Sequence, residues 1–241
     1  MILLVHGDRE YIREPGSELH TDLGVVEVPE DVESGDSLES HLGEEFRVRA
    51  LRGPDLFNHL ERTGAPMMPR DIGLVIGHTG AAAGDRVLDA GTGTGILAAY
   101  LGRLGADVTT YERDAEFAEV ARDNMEVAGV ADSVDVRTGD ITAEIDDLAA
   151  GEPFDLLTLD TEDAPEVVAS AADLLAPGGF LAVYSPFVEN SRASVEAARA
   201  AGLSAIETVE TIQRELTVDD RGTRPSTAGV GHTGYLTFAR R

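Results

Sequence analysis

The segment Asp89-Ala90-Gly91-Thr92-Gly93-Thr94-Gly95-Ile96-Leu97 sets three glycines at alternate positions behind an acidic residue. Glycines so placed can take positive φ and carry no side chain to hold a ligand off the backbone, which is what a nucleoside site at a strand-to-helix turn requires. Dinucleotide loops follow Gly-x-Gly-x-x-Gly, and here position 96 is isoleucine. The Asp89 carboxylate would repel a pyrophosphate but attract a sulfonium ligand that also bears an ammonium group. S-adenosylmethionine is therefore the expected cofactor, with Asp89, Gly91, Gly93, Thr94, Gly95, Ile96 and Leu97 around it. An NAD site and a tight turn without a ligand are the alternatives.

Three more carboxylates fall where strands should end. Val108-Thr109-Thr110-Tyr111 reads as a second strand closing on Glu112, about 20 residues past the glycine loop, where a carboxylate can accept hydrogen bonds from both ribose hydroxyls. Val134-Asp135-Val136-Arg137 leads to Gly139-Asp140, which places Asp140 to accept from an adenine amino group. Phe154-Asp155-Leu156-Leu157-Thr158-Leu159 is a buried-strand pattern closing on Asp160. Asp160 is the expected catalytic residue: it can fix an exocyclic amine and stabilise positive charge developing on an alkylated ring. The six histidines show no metal-ligand spacing, so no metal is expected.

The elements that must position these groups alternate. A helix is expected over Asp71 to Thr79, then the strand Val87-Leu88, a helix Ala115 to Ala128 ending at Gly129, and a helix Pro165 to Leu175. A turn Ala176-Pro177-Gly178-Gly179 and a strand Phe180 to Tyr184 should follow. The alternation predicts an α/β, Rossmann-like, doubly wound and mostly parallel sheet. Ala205 to Val218 and Thr233 to Arg240 read as two antiparallel strands, and Asp219 to Gly231 as a mobile active-site loop. Residues 1–60 lack helical periodicity and carry turn signals at Glu14-Pro15-Gly16, Glu33-Ser34-Gly35-Asp36 and Arg52-Gly53-Pro54. They are expected to form a small N-terminal β domain, with Ile2 to Val5 as an edge strand and Asp55 to Arg70 as a connector. Residues 61–241 are expected to form the catalytic domain.

Composition bounds the setting. Cysteine is absent, so there is no disulfide framework or thiol nucleophile. The apolar runs are too short to span a bilayer and no basic leader precedes them, so a soluble, cytoplasmic protein with no membrane partner is expected. Formal net charge is −26, from 45 acidic residues against 19 arginines, with no lysine at all. Such a surface resembles that of halophile proteins, whose mutual repulsion molar salt screens to about 3 Å. At that screening an RNA enzyme works by short contacts, stacking and shape, so net charge does not exclude RNA. Arg47 and Arg49 alternate in Phe46 to Arg52 and should share one strand face, where they meet phosphates or balance nearby acids.

In motif order the chain resembles class I S-adenosylmethionine-dependent methyltransferases, and more narrowly the archaeal tRNA (adenine-N1)-methyltransferases that act at positions 57 and 58. The narrow resemblance rests on Met68-Pro69-Arg70-Asp71, Tyr184-Ser185-Pro186, Arg224-Pro225 and Gly231-His232-Thr233-Gly234-Tyr235. It implies a seven-stranded sheet, tRNA as partner, methyl transfer to N1 of adenine, and a homotetramer. Tyr184, Arg224 and His232 are the substrate contacts expected on the matching positions. Three departures stand out: Asp160-Thr161-Glu162 replaces the family's Asp-Leu-Pro, Thr63-Gly64-Ala65-Pro66 fills a segment that often holds glutamine, and Met68 stands where tyrosine or histidine is common. A methyltransferase acting on a protein or small molecule, or a binding or assembly protein that kept only the fold, remain the alternatives.

Overall fold

The structure is a computed structural model describing residues 1–228 and 231–241. Six short strands come first: β1 (Ile2–His6), β2 (Arg9–Arg13), β3 (Glu18–Thr21), β4 (Gly24–Glu27), β5 (Ser37–Glu39) and β6 (Glu45–Ala50). They pair as a four-stranded sheet in the order β2-β1-β6-β5, with β3 and β4 as a separate hairpin. The Ile2 to Val5 segment is thus not an edge strand: β1 lies between β2 and β6. Both of its faces are apolar because both are covered. Ile2 and Leu4 enter the small core with Leu19, Val26 and Phe46, while Leu3 and Val5 point the other way into the main core. On β6, Phe46 and Val48 point inward and Arg47 and Arg49 share the exposed face, as their alternation predicts.

Helix α1 (Gly53–His59) occupies part of the expected connector, with Pro54 in its first turn. Then come α2 (Pro69–Thr79), β7 (Arg86–Ala90), α3 (Ile96–Arg103), β8 (Asp107–Glu112), α4 (Ala115–Ala128), β9 (Val134–Thr138), α5 (Ile141–Ala149) and β10 (Phe154–Leu159). Helix α4 ends at a left-handed Gly129, as read from sequence, and the structure adds Asp114 as its N-cap. The segment after β10 departs from expectation. Its helix divides at Ser170 into α6 (Ala164–Ala169) and α7 (Ala171–Leu174). The residues expected as a turn, Ala176 to Gly179, instead bulge within β11 (Leu175–Ser185), whose pairing to β10 slips between Phe154 and Leu156.

The chain closes with α8 (Val188–Ala200), β12 (Ser204–Glu210), β13 (Leu216–Asp219), β14 (Gly222–Pro225) and β15 (Tyr235–Arg240). Strands β13 and β14 form a hairpin, which replaces much of the loop expected from Asp219 to Gly231; Gly229 and Val230 of that loop lie outside the described residues. The main sheet has seven strands in the order β12-β15-β11-β10-β7-β8-β9. Strand β15 runs antiparallel between β11 and β12; the pairings from β11 to β9 are all parallel. Successive residues of the central strands feed opposite cores: Val87, Val108 and Leu156 face α3 and α4, while Leu88 and Leu157 face the α6–α8 side. Each such leucine contributes about 1.5–3 kcal/mol by leaving water. From β7 the chain winds one way to β8 and β9, then returns to β10 and β11, so the carboxyl ends of β7 and β10 flank the crevice where such sheets take ligands. Among the described residues no helix is long and apolar enough to cross a membrane.

Candidate active site

Strand β7 ends at the switch point, and the glycine loop turns there. Gly91, Gly93 and Gly95 all take positive φ, at 86°, 50° and 78°. At Gly91 a Cβ would lie 2.0 Å from the backbone oxygen of Asp160, so only glycine lets the β7 and β10 ends close together. The Asp160 amide donates to the Ala90 carbonyl at 2.9 Å, which holds those ends in register. Asp89 is 4% exposed, and both its oxygens are taken: Thr110 Oγ1 donates to one at 2.6 Å and Thr158 Oγ1 to the other. Burial pushes the Asp89 carboxyl up, with the two threonine hydroxyls opposing that rise.

Glu112 closes β8 and binds its own surroundings. It accepts from the Gly93 amide at 2.8 Å and from the Asp114 amide at 3.0 Å, tying the glycine loop to the start of α4. Asp140 caps α5, accepting from the Thr142 amide and hydroxyl at 2.9 and 2.8 Å, and those bonds hold its carboxyl below the usual range. Asp160 is half-buried, with its carboxyl pushed up to about 7 by burial and by the Asp89 charge.

These groups line two adjoining hollows. One is bounded by Asp89, Gly91, Gly93, Thr94, Ile96, Leu97 and Asp160 and roofed by Thr63 to Met67. The other, an open cleft of about 480 Å³, is bounded by Glu112, Arg113, Asp140 and Asp160. The structure thus brings together Asp160 and the nine sequence-predicted cofactor positions except Gly95, which packs behind the loop against Met125. The predicted substrate positions behave differently. Tyr184 is half-buried near Asp160; burial pushes its phenol up, and Thr233 opposes that rise. His232 is held on both sides, by Glu210 Oε1 at 2.8 Å and the Pro186 carbonyl at 3.0 Å, and these two partners raise its pKa, the carbonyl most. Arg224 stands exposed on the β13–β14 hairpin, 3.9 Å from Asp219, and borders neither hollow.

A family model described as the tRNA methyltransferase complex GCD14 subunit matches residues 54–223. The chain belongs to this tRNA methyltransferase family. Over 97% of its length it is 33% identical to the tRNA (adenine(57)-N(1)/adenine(58)-N(1))-methyltransferase TrmI of Methanocaldococcus jannaschii, covering 92% of that protein. It is 30% identical to a tRNA (adenine(58)-N(1))-methyltransferase TrmI of Thermus thermophilus, over 86% of this chain and 81% of that one. Two solved structures share the fold. An S-adenosylmethionine-dependent O-methyltransferase from Thermotoga maritima superposes with a TM-score of 0.81 at 24% identity, covering 100% of this chain and 92% of that one. TrmI from Aquifex aeolicus gives 0.72 at 21%, covering 99% and 95%. The protein is an S-adenosylmethionine-dependent methyltransferase.

The cleft of this methyltransferase fits a cationic nucleoside ligand. Its two hollows present six carboxylates, Asp89, Glu112, Asp140, Asp160, Glu162 and Asp163, against one arginine, Arg113. Over the glycine loop, the Thr63 hydroxyl is buried with no partner among the described residues, leaving it free for a polar group of the ligand.

Sequence reading misses several groups that build this site. Thr110 and Thr158 read as ordinary strand residues. Asn124 on α4 staples the 61–67 segment over the loop, donating to the Glu61 and Thr94 carbonyls at 2.9 and 2.8 Å. A buried asparagine in an otherwise apolar helical stripe is the available signal.

Proposed function

We propose that this protein transfers a methyl group from S-adenosylmethionine to N1 of an adenine in the T-loop region of tRNA. The observation that carries the reading is the half-buried Asp160 carboxylate at the switch point, bordering both hollows at once. S-adenosylmethionine, when bound, supplies an electrophilic methyl carbon. Asp89, the glycine loop, Glu112 and Asp140 hold its amino-acid, ribose and adenine parts. N1 lies on the pairing edge of adenine, so the base leaves its stack and partner before it enters the cleft. Asp160 accepts a hydrogen bond from the exocyclic amine, which fixes the ring with N1 toward the methyl and stabilises the positive charge that develops on it. The amine becomes more acidic once N1 is alkylated, so its proton leaves without a strong base. Tyr184 stacks on the base, and Arg224 and His232 meet the RNA beyond it.

The decisive experiment offers unmodified tRNA, total protein and small-molecule extract to the enzyme in molar KCl with a labelled methyl donor. N1-methyladenosine mapped by mass to the T-loop is the expected result. Label on protein or small molecules alone would support the second reading, which Thr161-Glu162 after Asp160 favours. We further infer a cytoplasmic, halophilic homotetramer, the surface charge supporting the salt requirement. Exposed Phe187, Ile212, Leu216 and Val218 support association.

A further inference from the structure

Thr233 joins two motifs more than 160 positions apart in the chain. Its hydroxyl accepts from Arg70 Nη2 at 2.7 Å and donates to Asp71 Oδ2 at 3.2 Å. Arg70 Nε stands 3.7 Å from the same carboxylate oxygen, and Asp71 is 2% exposed. Desolvation of the buried Asp71 makes its ion pair with Arg70 weak ground for stability, so its use is sought in what it places.

What it places is the segment from Gly231 to Gly234. His232, on one side of Thr233, is bound to β12 through Glu210 and to the end of β11 through the Pro186 carbonyl. Gly234, on the other side, lies against the Tyr184 ring so closely that a Cβ would stand 2.5 Å from Cζ and 2.7 Å from the hydroxyl oxygen. Tyr184 in turn follows Val183, which pairs with Leu159, so Tyr184 and Asp160 are the next residues on neighbouring strands. The segment is packed between α2 and the Tyr184 ring, one strand over from Asp160.

We propose that the Arg70–Asp71–Thr233 chain is a positioning device for methyl transfer, locking the 231–234 segment so that the Tyr184 ring stands beside Asp160 and fixes the plane of the entering base. This rests on the functional reading above. None of the three residues touches the reacting atoms; they act through Tyr184.

The test compares Thr233→Val and Thr233→Ser with wild type on tRNA. Thr233→Val should lower kcat by roughly 10- to 100-fold, the range for a misplaced group near the chemistry. Its affinity for S-adenosylmethionine, measured by calorimetry without RNA, should stay within about twofold, and Thr233→Ser should restore kcat. Combined with Tyr184→Leu, Thr233→Val should cost nothing beyond Tyr184→Leu alone, as groups acting as a unit do. Arg70→Lys keeps a charge beside Asp71 but loses the planar donor to Thr233; it should show the same pattern and serves where Thr233→Val does not fold. A kcat within about twofold of wild type, a parallel loss of cofactor affinity, or multiplying effects with Tyr184→Leu would overturn the proposal. Wild-type protein that leaves tRNA unmethylated removes the functional reading and this proposal together, whereas the other outcomes remove only the proposal.

Discussion

Asp160 keeps its proton up to about pH 7 because burial and the nearby Asp89 charge both disfavour the anion. The folded chain therefore binds a proton there that the unfolded chain, titrating near 3.8, has released. The contribution of Asp160 to stability falls as pH rises from about 4 to about 7 and is flat above that. Asp160→Asn removes this penalty, so its melting temperature should exceed that of wild type at pH 8 and converge on it near pH 4; a lower value at pH 8 would contradict the burial argument. The same substitution should reduce turnover more than ~100-fold, as losing a positioned polar group does. In wild type, kcat/KM should climb with pH to a plateau above about 7, and a flat profile from pH 6 to 8 would remove the carboxylate from its role. Glu112→Ala loses the partner of the Gly93 amide and should weaken S-adenosylmethionine at least tenfold by titration calorimetry, roughly the worth of a hydrogen bond to a charged group.

At the level of elements, the glycine loop makes a sharp contrast. Gly91 and Gly93 both have positive φ, but a Cβ on Gly91 would strike the Asp160 backbone, while one on Gly93 meets nothing nearer than Thr63 Oγ1 at 3.9 Å. Gly91→Ala should abolish cofactor binding; Gly93→Ala should cost about 1–2 kcal/mol of stability, the left-handed penalty, and keep measurable binding. Equal losses in the two variants would show that conformation, not collision, governs the loop. This part of the fold is legible because it is local: apolar strands close on acids, and turns carry glycine. The central parallel strands, α4 and the four strand-end carboxylates follow from runs of fewer than about fifteen residues, the span over which periodicity is read. Helix α5 escapes that reading, although Asp140 is its cap, because a carboxylate at a strand end reads equally as a ligand group. Strand β1 reads as an edge because its all-apolar pattern does not say that two cores claim alternate residues. The Thr63 roof and the Thr233 chain lie out of reach, since each joins segments distant in the chain and no local period encodes them.

For the whole molecule, a formal charge of −26 without lysine makes self-repulsion a standing load on the folded state. Raising KCl from about 0.1 to about 2 M shortens the screening length from about 10 Å to below about 3 Å, so the melting temperature should rise steadily across that range. A melting temperature that is flat or falls with salt would reject the halophilic reading.

The seven-stranded sheet carries a constraint on biosynthesis. Its antiparallel strand, Tyr235–Arg240, bonds β11 on one side and β12 on the other, yet it follows both in the chain. While the polypeptide emerges from the ribosome, β11 and β12 wait beside a gap that Tyr235–Arg240 fills. Completion of the sheet thus waits for that strand, and a nascent chain halted before Tyr235 would expose two bare strand edges to its neighbours.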